Sequence, residues 1–558
     1  MQRTAWEELV AILEAEGIRY VFGMPGSPKQ LYDALYDAAS LRPILVRHET
    51  AGAFMAYAYA RVSGSVGCCF GCPGPGVANL VPGILEAWSG CTPVLALGVR
   101  APTRTFGMGA FQEVDQVRLF RPITKWAVTV ERPERIGWYL RRALSLATNG
   151  QPGPVYLEIP ADCGLERVTM PPYTPAARAV RPAPDPERIA AAARLIKDAA
   201  RPLLVCGGGA ITSGAYDAVR SFVERFAIPL QVTPAGRGIL EEEHPLFAGL
   251  VGLYRTEYAA AVWQETDLLI TVGSRMEEFQ SGAWTYFPPG ARFVQIDIAA
   301  EELGRNWVPD VAIQADARLA LEALTDALER EGFQPNRGRA RELAERQRAA
   351  FAAAERDAQV WQQPIRGKLL AATINRVFDR HTILVQENGA QDLWVYYWPY
   401  YRLRDRGAVV PPAEQTAMGL GVCGAVGAAL ARPDWYVVCT TGDGAFHMGM
   451  HELPTAVEHR LRVTWVIFDD RALGWPRWTQ RTALRGRVIA TEFSATFDFA
   501  AVARAAGCHA ERVTDVQELA PALERARRAN DAGQPAVVDV LVDSEEHHPS
   551  FVEFHRLR

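Results

Sequence analysis

Short apolar runs alternate along almost the whole chain with longer stretches that repeat apolar residues at helical spacing. Runs such as 154–159, 268–273 and 463–468 are too short for helices and are flanked by charged or turn-forming residues. The stretch 50–63 is instead rich in alanine and aromatic residues at helical spacing. Buried strands that alternate with helices in this way predict α/β layers with parallel sheets.

The pattern is interrupted twice, which divides the chain into three units. A chain of 558 residues is too long for one ordinary core. Residues 170–186 are rich in proline and poor in core residues, as is typical of a linker, and residues 334–357 predict a helix and connector. We therefore predict three doubly wound α/β domains with parallel sheets, the middle one Rossmann-like, at residues 1–172, 188–330 and 365–545.

Composition narrows the classes of partner and compartment. The chain is 49% hydrophobic and 22% charged, and its formal net charge of −5 gives no reason to expect nucleic acid or an anionic membrane as partner. No apolar run is long enough to span a bilayer, and the opening residues have amphipathic helical spacing rather than that of a signal sequence. The nine cysteines lack regular spacing, and the Cys-x-x-Cys at Cys69 and Cys72 lies in a strand-like run. We interpret them as structural thiols and predict a cytoplasmic protein.

The segment from 435 to 470 has the pattern of a strand, a turn, a helix and a second strand. A strand-like run at 435–441 leads into Gly442–Phe446, residues 448–459 predict a helix, and 463–468 predict the second strand. A β-α-β unit places the carboxyl ends of its two strands side by side, which is where α/β proteins bind ligands.

Two acids stand at these strand ends. Asp443 follows the first strand and Asp470 follows the second. Two carboxylates beside glycines that admit a diphosphate suit Mg²⁺, which prefers oxygen ligands and shares its shell with phosphates. The alternative is a tight strand-to-helix turn with an exposed acidic pair.

Glu49 is a candidate functional residue of the first domain. It follows the apolar strand at 44–46 and precedes the helix at 50–63. A glutamate at the end of a buried strand is unfavourable unless it is protonated or paired. The alternative is a helix-start acid stabilised by the helix dipole.

Further motifs surround Glu49 and the Gly-Asp-Gly turn in a recognisable order. They are Gly23–Gly26, Cys72–Gly76 with Asn79, Phe111–Asp115, Pro122–Trp126 and Glu414–Gly421. In order and spacing they resemble the thiamine diphosphate-dependent enzymes, in the branch of acetolactate synthase, pyruvate oxidase and 2-hydroxyacyl-CoA lyase. The resemblance covers essentially the whole chain.

The resemblance implies a set of site residues. Glu49 would hydrogen-bond the aminopyrimidine ring of the cofactor and act in catalysis, and Gln112 would orient the substrate or relay a proton. Mg²⁺ would bind Asp443, Asp470 and the backbone carbonyl of Ala472; the family usually has asparagine where Asp470 stands. The implied cofactor-binding residues are Pro25, Gly26, Glu49, Asn79, Gln415, Met418, Gly442, Asp443, Gly444, Ala445 and Phe446.

Relatives hold FAD, ADP, the nucleotide of coenzyme A, or no ligand in the central domain. Here a glycine turn at 206–209 follows a strand, Arg237 and Arg275 are candidate phosphate partners, and Asp297 is a candidate partner of a ribose hydroxyl. The alternative is that the arginines are surface residues and the glycine turn is structural.

The favoured reaction is that of an acetolactate synthase-like carboligase, in which a 2-oxo acid is decarboxylated and the product is passed to an acceptor. The alternative is a 2-hydroxyacyl-CoA lyase, or an enzyme like oxalyl-CoA decarboxylase, acting on an acyl-CoA. A third hypothesis is a regulatory homologue without catalysis. Trp475, Arg477 and Trp478 either line the substrate end or pack in an interface. The family places active sites between subunits, which implies a homodimer or homotetramer.

Overall fold

The computed structural model describes residues 2–27, 29–177, 180–495 and 497–556. In these ranges the chain forms three six-stranded sheets in which every neighbouring pair is parallel, and helices flank the sheets. The predicted three-domain α/β fold is confirmed. A separate antiparallel pair, Gln2–Arg3 with Val168–Thr169, joins the two ends of the first domain.

The central strands of the first sheet are buried along their whole length because helices cover both faces. Gly67–Gly71 and Val155–Pro160 are buried at every position. In spatial order the strands are Arg42–Leu45, Tyr20–Gly23, Gly67–Gly71, Val94–Arg100, Val155–Pro160 and Trp126–Thr129. The helices are Ala5–Ala15, Lys29–Tyr36, Glu49–Ser63, Pro75–Asn79, Val81–Ser89, Gln116–Phe120, Ile136–Thr148 and Ala161–Leu165, with 3₁₀ turns at Arg121–Ile123 and Pro133–Arg135.

The central sheet repeats this arrangement with its own core. Its strands, in spatial order, are Phe247–Leu250, Leu230–Val232, Pro202–Cys206, Leu268–Val272, Arg292–Asp297 and Val311–Gln314. Its helices are Pro186–Asp198, Gly208–Ser213, Tyr216–Phe226, Glu257–Gln264 and Ala317–Arg330, with 3₁₀ turns at Pro234–Gly236, Gly252–Tyr254 and Ala300–Glu302. The helix Arg337–Ala358 leads to the third domain, as predicted for residues 334–357.

The third sheet carries the Gly-Asp-Gly turn near its middle. Its strands, in spatial order, are Val409–Val410, Thr382–Gln386, Tyr436–Gly442, Val463–Asp469, Ala536–Leu541 and His509–Val513. Its helices are Gly367–Val377, Leu420–Ala431, Asp443–Gly449, Leu453–Glu458, Gly474–Thr482, Phe499–Ala505, Leu519–Asp531 and Pro549–Arg556, with 3₁₀ turns at Asp392–Val395, Met450–Glu452 and Val516–Glu518.

The helix after this turn differs from the prediction for 448–459. The first helix begins at Asp443 itself, and the 3₁₀ turn Met450–Glu452 separates it from Leu453–Glu458. Pro454 explains the break, because proline has no amide to donate within a helix and is accepted only in a first turn.

The first and third domains meet through two helices whose backbones touch. Helix Glu49–Ser63 crosses helix Leu420–Ala431, and a Cβ on Gly427 would lie 2.1 Å from the carbonyl oxygen of Met55. A Cβ on Gly424 would lie 3.2 Å from the Cβ of Ala58. This contact fixes the element that begins with Glu49 relative to the element that follows Met418.

Candidate active site

Glu49 lies at the carboxyl end of the first sheet, at the start of helix Glu49–Ser63. Its side chain is buried, with 8% exposed. Asn79 Nδ2 donates a hydrogen bond to Glu49 Oε2 over 3.0 Å. A Cβ on Gly76 would lie 2.9 Å from Glu49 Oε1, so glycine leaves this oxygen its space. The two neighbours hold the carboxyl in one direction.

Gln112 lies near the same edge of the first sheet. Its φ of 58° is in the left-handed region, which positions the side chain of a loop residue against the turn 72–76. A Cβ on Gly74 would lie 3.1 Å from the Cβ of Gln112. Because Gly76 of the same turn faces Glu49, the turn connects the two predicted catalytic residues.

Sequence reasoning missed Gln116, which holds this turn in place. Gln116 is buried, and its Oε1 accepts a hydrogen bond from the backbone N–H of Gly74 over 2.9 Å. Its Nε2 donates to Glu158 Oε2 over 2.8 Å and to the carbonyl of Val99 over 3.0 Å. The one available signal was a glutamine at the start of a short apolar segment.

Pro25 and Gly26 follow the neighbouring strand and are exposed. A Cβ on Gly26 would lie 2.4 Å from Cys72 Sγ, so this glycine packs directly against the turn that holds Gln112. The predicted contacts of Pro25 and Gly26 with a cofactor stay predictions.

Asp443 and Asp470 lie at the carboxyl ends of adjacent strands of the third sheet, where Gly442 pairs with Phe468. Asp443 is 2% exposed. Its Oδ1 accepts a hydrogen bond from the Gly444 amide over 2.7 Å, and its Oδ2 accepts one from the Ala472 amide over 3.1 Å. The three residues predicted to bind metal thus lie at one edge.

Asp470 forms an ion pair that the sequence analysis did not predict. Arg477 Nη2 lies 3.1 Å from Asp470 Oδ2, and Arg477 Nη1 donates to the Asp470 carbonyl over 3.4 Å. Both side chains are buried. A Cβ on Gly474 would lie 2.6 Å from the same Oδ2, so glycine at 474 makes space for this carboxylate.

Several carboxyls crowd this edge and raise one another's pKa. Burial raises the pKa of Asp443, and the charges of Asp470 and Asp469 raise it further. Burial raises the pKa of Asp470 to about 7 although Arg477 opposes the shift. Burial, with Asp470, raises the pKa of Asp392 to about 7, and Asp392 Oδ2 has no hydrogen-bond partner among the described residues. A cation at this edge would favour the ionised form of all three carboxylates and so lower their pKa values.

These residues fit Mg²⁺ bound together with a diphosphate. Within the described ranges, no group of three or more His, Cys, Asp and Glu side chains is arranged to hold a metal ion by itself. Mg²⁺ in proteins commonly takes one or two carboxylates and completes its shell with phosphate oxygens and water. A Cβ on Gly442 would have no atom within 4 Å, so the backbone at the strand end is open to a ligand.

Met418 lies over the Gly-Asp-Gly turn. Its Cε would be 3.6 Å from a Cβ on Gly444. Ala445 and Phe446 are buried beneath the turn, and Phe446 packs edge-on against Phe499 with ring centroids 5.5 Å apart. Gln415 is exposed. The cofactor contacts predicted for all of these residues, as for Gly442, Asp443 and Gly444, stay predictions.

Glu387 supports the segment that carries Met418. The carboxyl is fully buried, and its Oε2 accepts backbone hydrogen bonds from Gly419 over 3.1 Å and Gly421 over 2.9 Å. Burial, with Asp392 and Glu86 nearby, raises its pKa to about 8. Glu387 therefore positions the helix Leu420–Ala431.

Trp475 and Trp478 pack against the last described helix, Pro549–Arg556. Each ring centroid lies 4.9 Å from that of Phe551. The structure therefore gives these tryptophans packing partners within the chain, whereas Arg477, between them in sequence, faces Asp470.

Among the described residues, no hydrogen bond joins Glu49 or Asn79 to Asp443, Asp470 or Met418. The first domain therefore contributes one half-site, around Glu49, and the third domain contributes another, around Asp443. One hydrogen-bonded link between the domains lies next to Glu49 at Glu452, whose Oε1 accepts the Arg47 amide over 2.7 Å and the His48 amide over 3.2 Å.

A cavity of about 360 Å³ lies where the three domains meet. Its lining includes the turn Gly207–Gly209, Arg275 and Asp297, together with the acids Glu277 and Glu414. Arg275 lies 2.7 Å from Glu277, so its charge is partly compensated. Burial and neighbouring Glu302 raise the pKa of Asp297 to about 6, although the Ala299 amide binds its Oδ1 over 2.9 Å.

The prediction for Arg237 is wrong. Arg237 is fully buried away from this cavity and forms two hydrogen bonds to Glu242, of 2.7 and 2.8 Å. It also donates to the carbonyl of Val395 over 2.8 Å. Its guanidinium is thus occupied by protein and is not a phosphate partner.

Comparisons with known proteins agree with this geometry. Three thiamine pyrophosphate enzyme models match in chain order: the N-terminal TPP-binding domain at 3–119, the central domain at 189–324 and the C-terminal TPP-binding domain at 389–540. The probable acetolactate synthase large subunit of Methanocaldococcus jannaschii is 33% identical, over 97% of this chain and 92% of its own length. The chain belongs to the thiamine diphosphate-dependent enzymes, in the acetolactate synthase branch.

Two further relatives of this thiamine diphosphate-dependent enzyme are also named acetolactate synthase large subunits. The acetolactate synthase large subunit of Parasynechococcus marenigrum is 34% identical over 96% of this chain and 86% of its own length. The acetolactate synthase isozyme 1 large subunit of Escherichia coli is 33% identical over 97% of this chain and 94% of its own length. These comparisons give the lyase alternative no support. None of the helices in the described ranges has both the length and the apolarity needed to cross a membrane.

Proposed function

We propose that this protein is a Mg²⁺-dependent carboligase that decarboxylates a 2-oxo acid and joins the product to a second carbonyl compound, as in acetolactate synthesis. The observation that carries the proposal is the buried Glu49 carboxyl, held by Asn79 and left open on one side by Gly76. Near-complete coverage of relatives that are named acetolactate synthase large subunits supports the choice of reaction.

The chain's residues divide the work between its two half-sites. When bound, thiamine diphosphate supplies a nucleophilic carbon and an electron sink. Glu49 would hold a proton against the aminopyrimidine ring, while Asn79 fixes the direction of its carboxyl. Asp443, Asp470 and the Ala472 carbonyl would hold Mg²⁺ and through it the diphosphate, and Met418 would support the cofactor from the side of Gly444. Gln112 would orient the substrate from the edge of the first domain.

We infer that two copies of the chain complete each site. Within one chain the described residues leave the Glu49 and Asp443 half-sites without a direct hydrogen bond. A dimer in which the first domain of one subunit faces the third domain of the other supplies both halves, and a tetramer is two such dimers. Sedimentation with and without Mg²⁺ and thiamine diphosphate measures the assembly state.

We also propose that the cavity between the domains holds a nucleotide. Its glycine turn and Asp297 suit a ribose and its phosphates, whereas the acidic wall at Glu277 and Glu414 is unfavourable for an anion. Extraction of the purified protein followed by chromatography distinguishes FAD, ADP and coenzyme A.

Glu49→Gln tests the carboligase. A general acid–base group of this kind is worth about 10²–10⁴-fold in rate, so we expect release of CO₂ from pyruvate to fall by at least that much. Thiamine diphosphate should still quench tryptophan fluorescence with nearly unchanged affinity, because the half-site at Asp443 is intact.

Glu8→Gln is the matched control, because Glu8 is also a buried glutamate of the first domain but lies in an ion pair with Arg3. It should keep its activity. Retained turnover by Glu49→Gln would contradict the assignment. Turnover of 2-hydroxyacyl thioesters without turnover of pyruvate would establish the lyase reaction instead.

A further inference from the structure

Arg477 is the one cation that forms an ion pair with Asp470 among the described residues. Its Nη2 lies 3.1 Å from Asp470 Oδ2 and also donates to the carbonyl of Ser544 over 3.3 Å. The side chains of Arg477 and Asp470 are 7% and 5% exposed. A guanidinium buried in this way is not a mobile surface group, and its direction is fixed by three acceptors on two segments.

The surroundings of the pair are otherwise acidic. Asp470 and Asp469 lie close enough to Asp443 for their charges to raise its pKa, and the charge of Asp470 acts on Asp392 in the same direction. A second carboxylate metal ligand would add a negative charge where the diphosphate must bind. An asparagine at this position would bring an oxygen ligand without that charge.

We propose that Arg477 is a positioning residue that makes Asp470 equivalent to a neutral oxygen ligand. The guanidinium pairs with Oδ2 and compensates its charge, which would leave Oδ1 as the oxygen that binds the metal. Aspartate and arginine together then carry the net charge of an amide. Gly474 completes the arrangement, because a side chain there would occupy the space of Oδ2.

This inference rests on the proposed Mg²⁺–thiamine diphosphate site, and it predicts that the effect of one substitution depends on the other. In Arg477→Gln, the uncompensated carboxylate repels the diphosphate, so the Kd for thiamine diphosphate at fixed Mg²⁺ should rise at least tenfold. Adding Asp470→Asn to that variant should restore the Kd to within about threefold of wild type. Asp470→Asn alone should bring no gain, because it leaves a buried guanidinium without its partner.

The experiment measures cofactor Kd by quenching of tryptophan fluorescence for wild type, both single variants and the double variant, with apo melting temperatures beside it. Arg481→Gln is the control, since Arg481 lies one turn further along the same helix in the more exposed pair with Glu492. It should leave the Kd unchanged.

The inference would be overturned if Asp470→Asn changed the Kd by the same factor in wild type and in the Arg477→Gln variant. It would also be overturned by an Arg477→Gln variant that melts earlier but binds the cofactor normally, since Arg477 would then be only structural. If wild type itself fails to bind thiamine diphosphate with Mg²⁺, the proposed function fails together with this inference. If wild type binds thiamine diphosphate but the two substitutions change the Kd independently of each other, only the inference about Arg477 is overturned.

Discussion

The two half-sites of this chain differ in their charge: one contains a single carboxyl beside neutral groups, and the other contains several buried carboxyls. Around Glu49 a single carboxyl is met by a neutral amide, and a buried glutamine holds the adjoining turn. Around Asp443 several carboxyls share a buried edge, and burial together with their mutual repulsion raises their pKa values. The first half-site is organised by the protein alone, whereas the second is built to receive positive charge. Substitutions should therefore act on turnover in the first and on cofactor binding in the second.

Asp443→Asn should have the largest effect on the second half-site. Asparagine keeps one oxygen ligand but removes a negative charge from the metal site, and its NH₂ group cannot accept a hydrogen bond as the second carboxylate oxygen does, so one of the Gly444 and Ala472 amides loses its acceptor. We expect affinity for thiamine diphosphate to fall more than about 100-fold. Outer-shell substitutions typically cost about 10–100-fold. Fluorescence titration at fixed Mg²⁺ measures it. Asp434→Asn, at an exposed site of the same domain, is the control. Unchanged affinity would show that this edge does not hold the metal.

Asn79→Ala should have an intermediate effect, confined to turnover. Without the Nδ2 donor the Glu49 carboxyl loses its fixed direction, and we expect kcat to fall about 10–100-fold, as for other partners that orient a reacting group. Steady-state kinetics and a cofactor titration separate the two effects. Asn149→Ala should change neither, because the Asn149 side chain bonds Ser145, Ala177 and Val180 and no half-site residue. A loss of cofactor affinity as large as the loss of kcat would remove the contrast between the half-sites.

Asp539→Asn should have the smallest effect, on stability and its pH dependence. Asp539 is fully buried behind the second half-site, and neither carboxyl oxygen has a hydrogen-bond partner among the described residues. Burial, with the charge of Asp469, raises its pKa from 3.8 to about 7. The unfolded chain ionises first as pH rises, so Asp539 lowers stability progressively between about pH 4 and 7 and by a constant amount above that range.

The Asn variant should therefore melt a few degrees above wild type at pH 8 and equally at pH 4, as a gain of about 1 kcal/mol raises Tm by roughly 2–4 °C. Arg512, whose Nε lies 3.8 Å from Asp539 Oδ2, keeps Asp469 as an ion-pair partner in the variant. Calorimetry at the two pH values measures the difference. An equal gain at both would mean that packing, not ionisation, is responsible.

The fold was predictable from sequence because strand and helix leave different spacings, and each sheet has a continuous apolar run at every central strand. The half-site residues Glu49, Asp443 and Asp470 were predicted because acids at the ends of buried strands stand out. Gln116 and Asp392 were not predicted, and Arg477 was expected at the substrate end or in an interface rather than beside Asp470. The roles of all three depend on contacts across turns that spacing along the chain does not encode. The prediction for Arg237 was wrong for the same reason. Its partner Glu242 lies five residues away along the chain, and the spacing of apolar residues does not indicate that the two side chains meet.

The contact of Gly427 with the Met55 carbonyl limits which residues can stand at position 427. If two chains build each site, the helix that begins with Glu49 and the helix that follows Met418 of one chain serve different active centres. Because the backbones touch, displacing one of these helices would displace the other. Any side chain at 427 would strain both centres at once, which makes this glycine a shared constraint on two sites that it does not itself contact.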